Sequence, residues 1–334
     1  MTEKKVVLSI DAMGGDNAPF SAIKVCDFIS SSDNMHLILV GSQELINKHI
    51  GNGKYPFAEI YNTDTYIKMD DKVNLQMLRA RDNSMCRTVR LLKEGVAHYA
   101  LSAGNTAAFV SYAISELGLI PHIDRPVIAI LLPNVNGTFT VFADAGANVN
   151  TKSIHIFQAA KMSGLFASHV FGMKYPRVAL LNIGSEATKG DELRKTAFAM
   201  LEKSGDINFM GNLEGQDLFS GKVDVVITDG FTGNVVLKVA EGFTRSFKTM
   251  LSREMRKSML GKMSGLLLKK TFKNFTSKID YAEYGGGILL GVNGVVIVSH
   301  GRSSPRALYS AIKFGKKVVV SDFLEELKKL AEKV

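Results

Sequence analysis

The chain has 334 residues, 46% of them hydrophobic, and a net charge of +9, which suits one large α/β domain or two smaller ones with ample core. Its two cysteines, Cys26 and Cys86, cannot build a disulfide framework and indicate a reducing compartment. No apolar run approaches the roughly 18 residues of a spanning helix, and the start, MTEKKVVLSIDAMGGD, has no secretory h-region. A soluble cytosolic protein is expected, unless something attaches it to a membrane surface.

Residues 6–10 read as a short apolar strand ending in Asp11-Ala12-Met13-Gly14-Gly15-Asp16-Asn17-Ala18-Pro19. Paired glycines let a backbone approach a ligand closely, and Pro19 suits the first turn of a helix. The G-x-G-x-x-G of a dinucleotide site is missing. Residues 36–40 form a second strand, closed by Gly41-Ser42, and a helix runs to about His49. Residues 71–95 read as mostly helical. Residues 98–101 form a strand followed at once by Ser102-Ala103-Gly104-Asn105-Thr106. The helix over 106–117 is small and apolar nearly all round, hence buried.

Strands follow at 127–132 and 139–143, the second ending in Asp144-Ala145-Gly146-Ala147-Asn148. Residues 146–153, GANVNTKS, come close to a P-loop, but Thr151 stands where its second glycine is needed, and a nucleoside-triphosphatase reading is rejected. Residues 154–167 are helical. Residues 177–183 form a strand ending in Gly184-Ser185-Glu186, and Lys189-Gly190 opens the next helix. Asn212-Leu213-Glu214-Gly215 follows another short strand.

The organising stretch is 223–242, VDVVITDGFTGNVVLKVAEG. Residues 223–228 are a β-branched strand, and Asp229-Gly230-Phe231-Thr232-Gly233-Asn234 is a glycine-rich turn. Val235 opens a helix with apolar residues at Val236, Val239, Ala240, Phe243, Phe247 and Met250. Such a turn lies at the carboxyl end of its strand, where open α/β sheets bind ligands. The helix start offers unpaired N–H groups and the positive end of its dipole to an anion. The same glycines also suit an ordinary βα turn.

Residues 245–278 hold ten basic residues against the single acid Glu254, an excess equal to that of the whole chain. Nucleic acid, anionic lipid or an acidic protein would each suit it. Nucleic acid ranks last, because only Phe272 and Phe275 supply aromatics there. Gly261 and Gly265 break the segment into a helical hairpin at about 243–278. Met263, Leu266, Leu267 and Leu268 crowd its tip, with lysines on both sides. That pattern suits either the headgroup boundary of an anionic membrane or dimer packing. Gly285-Gly286-Gly287 then leads into a β-hairpin at 288–298 with an Asn293-Gly294 turn. It ends in Ser299-His300-Gly301-Arg302-Ser303, and a long helix from about Pro305 closes the chain. Four or more βα units predict a doubly wound α/β fold with a mostly parallel sheet.

Taken together, residues 10–19, 102–106 and 144–148, residues 181–184 with Lys189-Gly190, and Asp229–Asn234 with Leu237-Lys238 resemble the bacterial phosphate acyltransferase family of phospholipid synthesis (the PlsX family). Residues 285–291 and 299–301 complete the match. Ala107 and Gly287 depart from it, standing where the family more often has Gly and Ala. The resemblance covers nearly the whole chain. It implies a single domain over 1–334 with a three-layer α/β/α fold like that of isocitrate and isopropylmalate dehydrogenases. It implies acyl transfer from acyl-[acyl carrier protein] to inorganic phosphate, with no cofactor and no metal. It further implies a cytoplasmic homodimer peripherally associated with membrane, whose acyl phosphate feeds a glycerol-3-phosphate acyltransferase.

That reaction needs positive potential for phosphate and donors for a tetrahedral oxyanion. Lys189 matches the family's catalytic position and is the first choice for charge stabilisation; Asn234, a neutral donor, is the second. Gly14, Gly15, Asp16, Asn17, Gly104, Asn105, Thr106, Gly233 and His300 are the candidates for a phosphate and acyl-pantetheine cradle. Arg245, Arg253, Arg256 and Lys257 are the candidates for steering an acidic carrier protein. The alternatives are a phosphotransacetylase acting on acyl-coenzyme A, an NAD- and metal-dependent dehydrogenase on the same fold, and a non-catalytic membrane scaffold.

Overall fold

The computed structural model describes residues 5–50, 55–259 and 285–333. Their strands are β1 (Val6–Asp11), β2 (Met35–Gly41), β3 (Ala58–Asn62), β4 (Tyr99–Ser102), β5 (Val127–Pro133), β6 (Phe139–Ala143), β7 (Val178–Asn182), β8 (Phe209–Glu214), β9 (Val225–Ile227), β10 (Gly287–Leu290) and β11 (Val295–Val298). All belong to one sheet in the order β3-β2-β1-β4-β11-β10-β5-β6-β9-β7-β8. Its pairs are parallel except β11–β10, β10–β5 and β5–β6. The helices are α1 (Phe20–Lys24), α2 (Gln43–Ile50), α3 (Leu75–Arg79), α4 (Ser84–Lys93), α5 (Thr106–Leu117), α6 (Ser153–Phe171), α7 (Glu192–Lys203), α8 (Gly230–Met255), α9 (Pro305–Val320) and α10 (Phe323–Ala331).

Successive strand residues face opposite sides, so the β-branched runs supply two cores. Leu8, Ile10, Val225 and Ile227 pack with residues of α1, α2, α6, α7, α9 and α10. Ala100, Phe142, Val226 and Val296 pack on the other side with α4, α5 and Leu237 of α8. The result is the expected three-layer α/β/α arrangement around a mostly parallel sheet.

The antiparallel pairs decide where the carboxyl ends point. β1, β4 and β11 are mutually parallel, as are β6, β9 and β7, but the intervening reversals set the second group against the first. Six neighbour steps separate β1 from β9. At roughly 20–25° of twist per step, six steps accumulate about 120–150°. Twist therefore offsets most of the reversal, and helix α8 meets turns of both sets: Gly233 packs against Asp144 after β6, and Glu241 lies 3.7 Å from His300 after β11.

Several boundaries differ from those expected from sequence. Residues 71–95 divide into α3 and α4, because Asn74 and Asn83 each accept a backbone N–H at a new helix start. The closing helix divides at Asp322, whose φ of 53° interrupts the spiral. Strand β3 has no counterpart among the expected elements: Ala-Glu-Ile-Tyr-Asn is a short edge strand with only intermediate and exposed positions, so it shows no apolar run. Helix α8 begins at Gly230, five residues before the expected Val235. The tip of the expected hairpin, with Met263, Leu266, Leu267 and Leu268, lies outside the described residues. No described helix is long and apolar enough to cross a membrane.

Candidate functional site

Two groups of turns stand at the carboxyl ends of the two strand sets, and α8 links them. The first follows β1, β4 and β11. Asp11 is buried at the end of β1; it accepts from the Ser102 hydroxyl at 2.7 Å and from Met13 N at 3.2 Å. The Ser102 oxygen in turn accepts from Gly104 N at 3.0 Å. Burial pushes the Asp11 carboxyl above the ordinary range. Gly14 is packed so closely that a Cβ would stand 2.8 Å from Gly104 N; a side chain here would separate the two turns. Asp16 N donates to Gly301 O at 2.8 Å, joining the β1 turn to the β11 turn.

The candidates in this group have distinct positions. Asn17 and Thr106 are exposed. Asn105 is committed at both ends: its Oδ1 accepts from Ala108 N as the cap of α5, and its Nδ2 donates to the carbonyls of Met69 and Asp71. Asn105 thereby fixes the loop before α3. Asp16 lies 3.7 Å from Arg302 Nε, so its carboxylate has a cation beside it. His300 Nδ1 accepts from Arg302 N at 3.1 Å, which assigns the proton to Nε2. That Nε2 lies 3.7 Å from Glu241 Oε1 on α8.

The second group follows β6, β9 and β7. Asp144 takes N–H donors from Ile128, Gly146, Ala147 and Asn148, and the Asn148 side-chain amide as well. Burial nonetheless pushes its carboxyl above the ordinary range. Gly230 and Gly233 of α8 pack on this turn. A Cβ on Gly230 would collide with Asn148 O, and one on Gly233 with Asp144 O. Neither glycine has a positive φ. Their sequence context is that of turn residues, but their work is to let the first helical turn of α8 lie against a backbone.

Asp229 caps α8, accepting from Thr232 N at 2.9 Å. Arg194, in the first turn of α7, donates to Asp229, to Thr232 Oγ1 at 2.9 Å and to Asp191 at 2.7 Å. Burial would raise the Asp229 carboxyl, but the Thr232 bonds and the Arg194 charge together hold it below the ordinary range. Nothing in the sequence pattern marks Arg194, since it lies 35 residues before its partner. Only adjacency of β7 and β9 brings the two together.

Asn234 lies in the second turn of α8 and is exposed. It is not the cap. Its side chain packs beside Gly146, where an added Cβ would stand 3.1 Å from Asn234 Cβ. Lys189 stands in the loop after β7 rather than in a helix, because α7 starts at Glu192 with Asp191 as its cap. Asn182 Nδ2 donates to Lys189 O at 3.0 Å and fixes the loop from within. The Lys189 ammonium is about half exposed, with Glu186 Oε1 at 3.9 Å.

Asn234, Lys238 and Glu241 follow one another along one side of α8 by four and three residues. Lys238 Nζ lies 3.1 Å from Glu241 Oε2. The row runs from the second group to His300 in the first, a rise of about 10 Å. Of the candidate carrier-docking residues, Arg245 and Arg253 lie on α8, Arg256 is its C-cap and Lys257 follows, paired with Glu254 at 2.7 Å. Cys26 and Cys86 are buried, and burial pushes both thiols to about 12. They remain protonated at neutral pH and offer no nucleophile.

A family model described as "Fatty acid synthesis protein" matches residues 6–326. Among curated relatives, the phosphate acyltransferase of Pelotomaculum thermopropionicum is 40% identical over 328 residues, 98% of this chain and 95% of that one. That of Dictyoglomus thermophilum is 38% identical over 332 residues, 98% and 99% of the two chains. Among solved structures, a phosphotransacetylase from Streptococcus pyogenes superposes with a TM-score of 0.65 at 17% identity, covering 96% of this chain and 95% of that one. A 4-hydroxythreonine-4-phosphate dehydrogenase from Klebsiella pneumoniae reaches 0.54 at 13% identity, covering 95% and 100%. Likeness at this low identity concerns the fold.

Proposed function

The chain belongs to the fatty acid synthesis protein family, and we propose that within it this protein is a phosphate acyltransferase, moving a fatty acyl group from acyl carrier protein to inorganic phosphate. The observation behind this reading is the 38–40% identity, over nearly the whole chain, to phosphate acyltransferases. A phosphate oxygen attacks the thioester carbonyl carbon. A C–O bond forms and the carbonyl oxygen becomes an oxyanion. The C–S bond then breaks, and the thiolate leaves to take a proton from solvent. With an ordinary thiol pKa of roughly 8.5, it needs little help. Lys189 supplies charge and Asn234 an N–H donor to the oxyanion or the phosphate. The first group of turns, with Gly14, Gly15 and Gly104, holds the remaining anionic and polar parts of the substrates.

The same reading takes the protein as a homodimer. Phe231, Val235, Val239, Phe243, Phe247 and Met250 are all exposed on α8, opposite Gly230 and Leu237 by helical geometry. So long an apolar face is normally covered in solution, and a second copy covers it here. Arg245, Arg253, Arg256 and Lys257 continue the helix as a cationic approach for an acidic carrier. Peripheral membrane contact rests on the basic sequence between 245 and 278, and co-sedimentation with anionic vesicles at low salt tests it.

Donor comparison tests the main proposal. Long-chain acyl carrier protein should be turned over with far higher kcat/KM than acetyl-coenzyme A. Preference for acetyl-coenzyme A would make the protein a phosphotransacetylase. Vesicle binding without turnover on either donor would leave a scaffold.

A further inference from the structure

A cavity of about 340 Å³ opens beside the first group of turns. Buried Met13 and Ile67 and half-buried Leu45 line it, with Met69, His49 and Lys68 exposed around it. Gly15 belongs both to the cavity wall and to the turn that lies against Gly301 O. Met69 joins the two spaces as well. It packs on Gly301 so tightly that a Cβ there would stand 2.6 Å from Met69 Cε. Gly41 makes the same room for Met13, whose Cγ would lie 2.6 Å from an added Cβ. The loop carrying Met69 is held by Asn105 through the Met69 and Asp71 carbonyls.

We propose that this cavity receives the acyl chain and that Leu45, Ile67 and Met69 set the chain length accepted. The inference rests on the acyltransferase reading. Its own support is the chemistry and place of the cavity. Among the described residues no carboxylate side chain lines it, and its buried wall is aliphatic and thioether. Methionine is unbranched and repacks easily, which suits chains of different length. A cavity of about 150 Å³ holds a six-carbon ring, so this one holds on the order of a dozen carbons. From Asn234 the chain has about 10 Å to run along α8 before His300 and the cavity beyond it.

Two variants test it, and the chain's lack of tryptophan makes one a reporter. In Leu45→Trp, which fills the cavity, kcat/KM for the longest acyl carrier proteins should fall about tenfold or more. Short-chain donors should stay within about threefold of wild type. In Met69→Trp, at an exposed position, a bromine-labelled long-chain acyl carrier protein should quench the single tryptophan, and unacylated carrier should not. Equal loss across all chain lengths would give the cavity to the arm common to every donor and overturn the proposal. An unchanged profile or absent quenching would also overturn it. Wild type inactive on every donor would remove the acyltransferase reading instead, while the quenching experiment would still decide what the cavity holds.

Discussion

Lys189 and Asn234, the proposed charge and hydrogen-bond donors, are positioned by different means. Lys189 comes from a loop pinned by the Asn182 amide, and Asn234 from the second turn of a helix seated on two glycines. Both are exposed, so their removal should spare the fold. Lys189→Ala is expected to lower kcat about 10²-fold or more, the usual cost of losing one preorganised oxyanion partner, with an unchanged melting temperature. Asn234→Ala should act in the same direction. Near wild-type turnover in either folded variant would exclude that residue from the chemistry. Arg194 has another part, joining α7 to the cap of α8. Asp229 has a lowered carboxyl pKa. Its share of stability is therefore full above the unfolded value, about 3.9, and lost as pH falls through the lower folded value. Melting temperature against pH should show this below about pH 4, and Arg194→Met should shrink the change. An identical profile in the variant would show that Arg194 does not hold the carboxylate. Lys189 and Asn234 can be put forward as candidates from the chain because each stands by a glycine-rich turn and the family resemblance marks it. Arg194 cannot, since its partner is distant in sequence and its own neighbours are ordinary first-turn residues.

At the scale of elements, α8 is the unusual piece. Of its 26 residues only Gly230, Gly233 and Leu237 are buried. The apolar spacing of Val239, Phe243, Phe247 and Met250 marks one face of a helix, and the structure places them on one. Periodicity cannot say that this face points away from the sheet, because the pattern of a core face and of an interface is the same. Nor does it locate the start of α8, since glycines in a turn and glycines under a close backbone contact look alike in sequence. Phe243→Glu should convert a dimer to a monomer in sedimentation experiments, since a charge cannot be buried there unpaired. An unchanged sedimentation coefficient would place the dimer contact elsewhere. Gly233→Ala should cost about 1–3 kcal/mol, as overpacking does, because its Cβ would strike Asp144 O. Thermal or chemical denaturation reads this directly; an unchanged midpoint would contradict the seating of α8.

For the whole molecule, the sheet of opposed halves is the organising fact. The repeated strand–turn–helix pattern makes its layers and most of its parallel pairs legible. Its strand order is not, because β10 and β11 come from the end of the chain yet insert between β4 and β5. That insertion separates the two opposed sets of strands, and α8 bridges their turns, with Asn234 beside Gly146 and Glu241 3.7 Å from His300. The cavity lined by Met13 and Met69 is equally hidden, since its wall is assembled from three separate segments. The proposed activity is tested most directly by incubating the purified protein with long-chain acyl carrier protein and radiolabelled phosphate, then adding hydroxylamine. Label should appear in an acyl product that hydroxylamine converts to hydroxamate, in amounts that rise with enzyme. Free fatty acid without labelled acyl phosphate, or no product at all, would contradict the assignment.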